Sequence, residues 1–268
     1  MHVERFESAL WQTASLLLVS DGEAVAIDPG ISKAEVAALS ARADALGATV
    51  THVLATHADW DHVCGIAAFP GATAAMGTLT AELVASGKPA TRIEERSREY
   101  GIAVAGAPRA DRALSPGDAH RVRPFTVETA ALPGHTTDGT AYRVRALDLL
   151  VVGDHLSVAE FPFVSSSADY RTTLAGLIDV LRHDPPATVV PGHGPALTSA
   201  EALQVAEADL AYLRGLRDAV ARELTEGADR ERARAAGLAV PIPRAAPDDL
   251  AEMHAANVEA QLAELLPA

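Results

Sequence analysis

Only one cysteine, Cys64, occurs in the 268 residues, so no disulfide can form within the chain. Aromatic residues make up 4% of a sequence that is 49% hydrophobic, which leaves Ala, Val and Leu to build the core. Long apolar runs are lacking too. Segments such as Leu16 to Val19 and Leu149 to Val152 fall far short of the roughly 20 residues that cross a bilayer. Positive charge is scarce: 22 basic against 36 acidic residues give a net charge of −14. That field repels phosphate backbones, so no nucleic-acid partner is expected. Met1 to Glu7 has no basic stretch leading into an apolar one, and the expected location is cytoplasmic. With no membrane segment either, the expected partner is a small-molecule substrate; nothing in the sequence speaks to oligomeric state.

What is present reads as one domain over residues 1–268, with a mean hydropathy of +0.11. Ser15–Ser20 and Glu23–Asp28 flank Asp21-Gly22, a two-residue hairpin signal. After the turn Asp28-Pro29-Gly30, Ser32 and Glu35 form the sequence pattern of a capping box, opening a helix that Gly47 ends. His52–Thr56 reads as a short buried strand, Val63–Phe69 as the start of a helix and Ala72–Met76 as a weak strand. Residues 77–117 are expected either as an insertion beside the active site or as a helical pair covering a sheet edge. Strands are then expected at Thr126–Ala131, Thr140–Arg145, Leu149–Val152 and Thr188–Val190. Helices are expected at Asp169–Leu181, Ser199–Leu224 and Pro247–Leu266, the last two within a C-terminal helical region at 199–268. Strands alternating with helices in both halves place the chain in the α/β (α+β) class.

The most informative stretch is His57-Ala58-Asp59-Trp60-Asp61-His62, directly after the apolar run Val53-Leu54-Ala55. Imidazoles and carboxylates are the groups that hold zinc, iron and manganese. A packed core gains nothing from crowding them, because each must be desolvated. Three further polar clusters follow apolar runs: Pro133-Gly134-His135, Gly153-Asp154-His155 and Pro191-Gly192-His193. Each alone is an ordinary loop. Together, in the order His-x-Asp-x-Asp-His, His135, Asp154, His193, they are much harder to obtain by accident.

With these motifs the sequence resembles the metallo-β-lactamase-fold superfamily, in particular its glyoxalase II-like hydrolases, over about residues 14–200. The Asp28-Pro29-Gly30 turn also fits the family pattern. The resemblance implies a four-layer αβ/βα sandwich of two mixed sheets with a binuclear metal site along one edge. It implies that His57, Asp59 and His135 hold a first cation, that Asp61, His62 and His193 hold a second, and that Asp154 bridges both. The family pattern has His where this chain has Asp59. A carboxylate is harder than an imidazole and shifts preference toward iron or manganese, although zinc remains the first expectation for the two divalent ions. Asp is also short, which puts its reach to the metal in question.

Two cations roughly 3.5–4 Å apart can lower the pKa of a shared water to about 7. The expected activity is therefore hydrolysis of a small ester, thioester, lactone or phosphoester by a metal-bound hydroxide, with Asp61 and Asp154 as catalytic residues. An iron-dependent oxygenase- or dioxygenase-like enzyme on the same fold is the alternative, and a binding protein on a decayed fold a third reading. No basic set of the kind a glutathione thioester would need is recognisable near the C-terminus. His155, Phe161 within the segment Glu160-Phe161-Pro162-Phe163, and Tyr170 lie close after Asp154 and are candidates to line a substrate pocket, with ordinary packing equally open for the aromatics. Cys64 is expected as a buried small hydrophobe and Trp60 as packing behind the metal loop.

Overall fold

A computed structural model describes residues 1–244 and 250–266. Its first sheet has the strand order β1 (His2–Glu7), β2 (Ala14–Ser20), β3 (Glu23–Ile27), β4 (Thr49–Ala55), β5 (Thr73–Gly77) and β6 (Arg112–Leu114). The first three strands run antiparallel and β3 to β6 run parallel. The second sheet has the order β11 (Thr188–Val190), β10 (Leu149–Val151), β9 (Thr140–Val144), β8 (Phe125–Ala131) and β7 (Ala119–Val122), parallel only between β10 and β11.

Strand alternation explains the layers. In β2, Leu16 and Leu18 point to one face and Leu17 and Val19 to the other, and all four are buried. The Leu16/Leu18 face joins Val25, Ile27, Leu54, Phe125, Tyr142 and Val151 in a core between the two sheets. The Leu17/Val19 face meets Val36, Leu39 and Ala43 of helix α1 (Lys33–Ala45), together with Trp60 and Val63. On the far side, the outer face of the second sheet packs against α5 (Ser167–His183) and α6 (Ser199–Thr225). The product is helix, sheet, sheet, helix, the expected four-layer sandwich.

Local chemistry sets the element ends. Asp21 and Gly22 both have positive φ, as a two-residue type I′ hairpin requires. Ser32 and Glu35 complete a reciprocal capping box at α1, and Thr198 with Glu201 does the same at α6. The helix expected at Val63–Phe69 is displaced. α2 spans Trp60–Val63 and is followed by a single 3-10 turn at Ile66–Ala68, so Asp61 and His62 sit on a helix rather than in a loop.

The 77–117 stretch supplies α3 (Thr78–Ala85), α4 (Lys88–Tyr100) and β6, which adds a parallel strand to the first sheet. Tyr100 of α4 stacks on Trp60 with ring centroids 5.9 Å apart, tying this segment to α2. Three strands have no counterpart in the sequence reading: β1, β6 and β7. Neither has α7 (Arg230–Leu238), which packs with α6 and α8 (Leu250–Leu265) around Leu216, Val220, Ala233, Val258 and Leu262. Residues 247–249 of the expected C-terminal helix lie outside the described residues. Among the described residues, no helix is long and apolar enough to cross a membrane.

Candidate metal centre

The polar clusters converge where β4, β10 and β11 end. Hydrogen bonds from Gly192 N to Gly153 O (2.7 Å) and from Ala14 N to Gly192 O (2.7 Å) bring three loops edge to edge. Gly192 is needed at that crossing. A Cβ there would stand 2.1 Å from Asp154 Oδ1 and 2.9 Å from His62 Cε1.

On one side of the centre, His57 Nε2 lies 3.7 Å from Asp59 Oδ2 and 3.5 Å from Asp154 Oδ2. His135 Nε2 lies 3.4 Å from Asp59 Oδ2 and 3.2 Å from Asp154 Oδ2. On the other side, His62 Nε2 lies 3.4 Å from Asp61 Oδ2 and 3.1 Å from Asp154 Oδ1. His193 Nε2 lies 3.6 Å from Asp61 Oδ2 and 3.2 Å from Asp154 Oδ2. Asp154 thus stands between the two groups, within 3.5 Å of all four imidazoles. Asp59, despite its short side chain, reaches both imidazoles of the first group. Its own side chain is 51% exposed, whereas those of His57 and His62 are fully enclosed.

Each imidazole is fixed through its other nitrogen. His62 Nδ1 donates to Asp28 Oδ2 (2.9 Å), His135 Nδ1 to the Phe163 carbonyl (3.0 Å) and His193 Nδ1 to the Trp11 carbonyl (3.0 Å). His57 Nδ1 sits 3.0 Å from Thr56 Oγ1, whose own proton goes to Asp28 Oδ2 (2.8 Å), so the hydroxyl oxygen accepts from the ring. All four rings therefore carry a proton on Nδ1 and turn Nε2 into the cluster, where a cation would take the place of any proton held there. This anchoring through the second nitrogen is how metal-binding histidines are oriented. Thr13 Oγ1 donates to Asp61 Oδ2 (3.1 Å), and Asp138 Oδ2 holds Ala58 N (2.8 Å).

The residues fit a pair of cations on two counts. First, Nε2 of His57, His62 and His135 and Oδ1 of Asp154 are buried with no hydrogen-bond partner, although neighbouring ligand atoms lie close by. They are aimed at common points, not along hydrogen-bond directions. Second, a tetrahedral ion with bonds of 2.0–2.1 Å needs ligand atoms about 3.4 Å apart. The separations above run from 3.1 to 3.7 Å. Donor groups that could share an ion include His57/Asp59/His135, Asp61/His62/His193 and His57/His62/Asp154.

The cluster's own field calls for positive charge. Burial works against a charged His57, yet Asp154 and Asp59 raise its pKa from 6.5 to about 9. Burial likewise opposes charge on His193, and Asp154 lifts it to about 10. His62 and His135 are raised in the same way against burial, and the surrounding imidazoles hold Asp154 well below the usual carboxylate range despite its burial.

Of the residues expected to line a pocket, His155 borders a small cavity shared with His57, His135 and Asp154, Tyr170 touches the backbone of Asp154, and Phe161 lies in the core. His155, Phe161 and Tyr170 are all buried. Phe161 packs on Tyr212 in the core beneath the second sheet, and Tyr170 OH donates to the Asp154 carbonyl (3.1 Å). His155, stacked beside Tyr170, stays neutral because burial, then the charge on His135, lowers its pKa to about 3. With Thr136 it borders an enclosed cavity of about 10 Å³, room for one water. Trp11 and Phe163, 42% and 41% exposed, contribute their carbonyls to His193 and His135 of the cluster. Neither carbonyl was foreseen from the sequence, since a backbone acceptor leaves no signature in residue type, although Phe163 belongs to the segment expected beside the pocket. Cys64 and Trp60 are buried as expected, and burial pushes the Cys64 thiol far up.

Comparison with known proteins agrees with this arrangement. Residues 9–193 match the metallo-beta-lactamase superfamily. The chain belongs to that superfamily. Among solved structures of this fold, it resembles the BLEG-1 B3 metallo-beta-lactamase at 24% identity and a TM-score of 0.61, covering 76% of this chain and 97% of that one. ETHE1 from Myxococcus xanthus is 21% identical with a TM-score of 0.59, covering 81% and 91%. TTHA1623 in a di-iron-bound form is 24% identical with a TM-score of 0.58, covering 74% and 96%. No curated protein sequence matches the chain. The superfamily accounts for the sheets and the loop cluster; α6, α7 and α8 lie beyond the matched residues.

Proposed function

We propose that this superfamily member is a binuclear metallohydrolase acting on a small ester, thioester, lactone or phosphoester. The observation that carries the reading is the common orientation of His57, His62, His135 and His193, each anchored at Nδ1 with Nε2 turned toward Asp154, where Nε2 of the first three and Oδ1 of Asp154 lack a hydrogen-bond partner. His57, Asp59 and His135 would hold one divalent ion, Asp61, His62 and His193 the other, with Asp154 between them. When bound, such a pair acidifies water and polarises the oxygen of a carbonyl or phosphoryl group.

The chain's own residues orient the reaction. Asp61 is fixed by Thr13 at one oxygen and stands at the second group, where it can accept a proton from an attacking water. Burial of Asp154 and His57 excludes bulk water from the inner side, so charge interactions there are screened little. The exposed Phe163 ring, 5.9 Å from the His135 ring, would offer apolar surface to a small, largely neutral acyl or alkyl group.

Zinc is the leading metal. A second reading, an iron-dependent redox enzyme in the same cradle, is favoured by one observation, the Asp59 carboxylate within 3.4 Å of His135 Nε2. Elemental analysis of protein purified without added metal, paired with a panel of thioesters, lactones and phosphoesters, separates the two. Zinc with turnover that Asp154→Ala abolishes is expected. Iron with oxygen consumption and no hydrolysis would replace the first reading with the second, and near-normal turnover in Asp154→Ala would overturn the site assignment.

A further inference from the structure

A fourth carboxylate reaches this centre from a segment outside the motifs. Glu160 lies on the loop that follows Asp154, and its carboxylate groups with Asp154 and His193 within 4.8 Å, close enough to share an ion. Its backbone is fixed on both sides. The Glu160 amide donates to Ser157 Oγ (3.2 Å), and its carbonyl accepts from Arg244 Nε (2.7 Å). Arg244 is in turn held by Asp209 of α6 (2.5 Å), whose side chain is 1% exposed. Among the described residues, the Glu160 carboxylate itself has no hydrogen bond or ion pair. The loop thus presents a free carboxylate beside Asp154 and His193, and Asp154 Oδ1 is itself buried without a partner.

Resting on the two-cation reading, we propose that Glu160 is a further ligand on the His193 side of the centre and sets its charge. Asp59, Asp61 and Asp154 leave two divalent ions with a formal surplus of one positive charge; Glu160 cancels it. A centre of zero formal charge attracts anions less than a cationic one does. Of the proposed substrates this leaves neutral carboxylic esters, thioesters and lactones, and disfavours phosphoesters, whose charge sits at the bond that breaks.

Glu160→Gln tests this while leaving both backbone anchors in place. Chelator-stripped wild type and variant are titrated with Co(II), following the visible absorption of the bound ion, after matched circular dichroism and melting curves establish that the variant is folded. Wild type is expected to bind two Co(II) ions. The variant is expected to bind the weaker one at least about tenfold less tightly, with an altered band for that ion. At saturating Co(II), inorganic phosphate is expected to bind the variant about tenfold more tightly. Two Co(II) ions held by wild type and variant within twofold, with equal phosphate affinity, would overturn the role of Glu160. Failure of wild type to bind Co(II) would instead remove the two-cation reading on which it rests. Should Gln impair folding, Glu160→Asp is read in the same titration, and its shorter reach is expected to weaken the same ion.

Discussion

The aspartate at the end of β3 tests most directly whether the histidines are oriented for a metal. Asp28 is 2% exposed and has positive φ, a conformation that Asp tolerates better than most residues. Its carboxylate accepts three hydrogen bonds, from Thr56 N (2.8 Å), Thr56 Oγ1 (2.8 Å) and His62 Nδ1 (2.9 Å). In Asp28→Asn one oxygen can keep the Thr56 amide, but the other becomes an NH2 group. The Thr56 hydroxyl can rotate and accept. His62 Nδ1 cannot accept unless it gives up its proton, which then moves to Nε2 and removes the lone pair offered to the cation. Loss of such an orienting partner costs 10–100-fold in metal affinity, about 1.4–2.7 kcal/mol. One hydrogen bond to a charged acceptor also goes, worth about 1.5–3 kcal/mol of stability. Calorimetric zinc titration of chelator-treated protein reads the first effect, and nitrogen NMR of the His62 ring reads the tautomer directly. If both zinc steps stay within twofold of wild type, or the His62 proton remains on Nδ1, the account of how this ring is aimed is wrong.

Gly192→Ala should cripple the centre without unfolding the sheets, because the added Cβ would displace Asp154 Oδ1 from 2.1 Å away; wild-type metal content and turnover would contradict it. Asp59→His should retain zinc about tenfold more tightly on the His57/His135 side, about 1.4 kcal/mol, in chelator competition; unchanged affinity would mean that Asp59 is no ligand. In chelator-treated protein, His57 and His193 hold protons up to about 9 and 10 that an unfolded histidine releases near 6.5. The folded state then binds more protons between those values, so this stabilisation is complete below 6.5 and is lost as pH rises through 9 to 10. Melting temperature should therefore fall from pH 6 to pH 9.5 in chelator and not in excess zinc, where metal and proton compete for the same Nε2; a flat curve in chelator would refute the charge assignment.

The parts of the molecule that were legible in the sequence are those written in local chemistry. Asp21-Gly22 announces a hairpin, Ser32 with Glu35 announces a helix start, and Thr188-Val189-Val190 is apolar enough to be a strand by itself. The segment Trp60–Val63 reads as a polar loop because its acidic and imidazole groups mask the turn of helix that carries them. β1 escapes notice because none of its six residues is fully buried, and β6 and β7 because three and four residues are too few to show a period. Within the centre, side chains that crowd one motif were visible. Glu160 was legible only as part of a segment that could line a pocket; its reach to the cluster was not, since a single carboxylate in an irregular loop has no spacing to betray it. Nor were the carbonyls of Trp11 and Phe163, or the burial of His155, Phe161 and Tyr170, which depends on helices far along the chain.

Asn257 on α8 clasps the loop around Phe163 from both sides. Its Oδ1 accepts from Val164 N (3.0 Å) and its Nδ2 donates to the Pro162 carbonyl (2.6 Å). Between those two grips lies the carbonyl that aims His135. The far end of the polypeptide, beyond the stretch that matches the superfamily, thereby acts as a tensioner on an inner ligand. Paring back that last helix would slacken one imidazole while both sheets stood intact, so chemistry would be lost well before architecture.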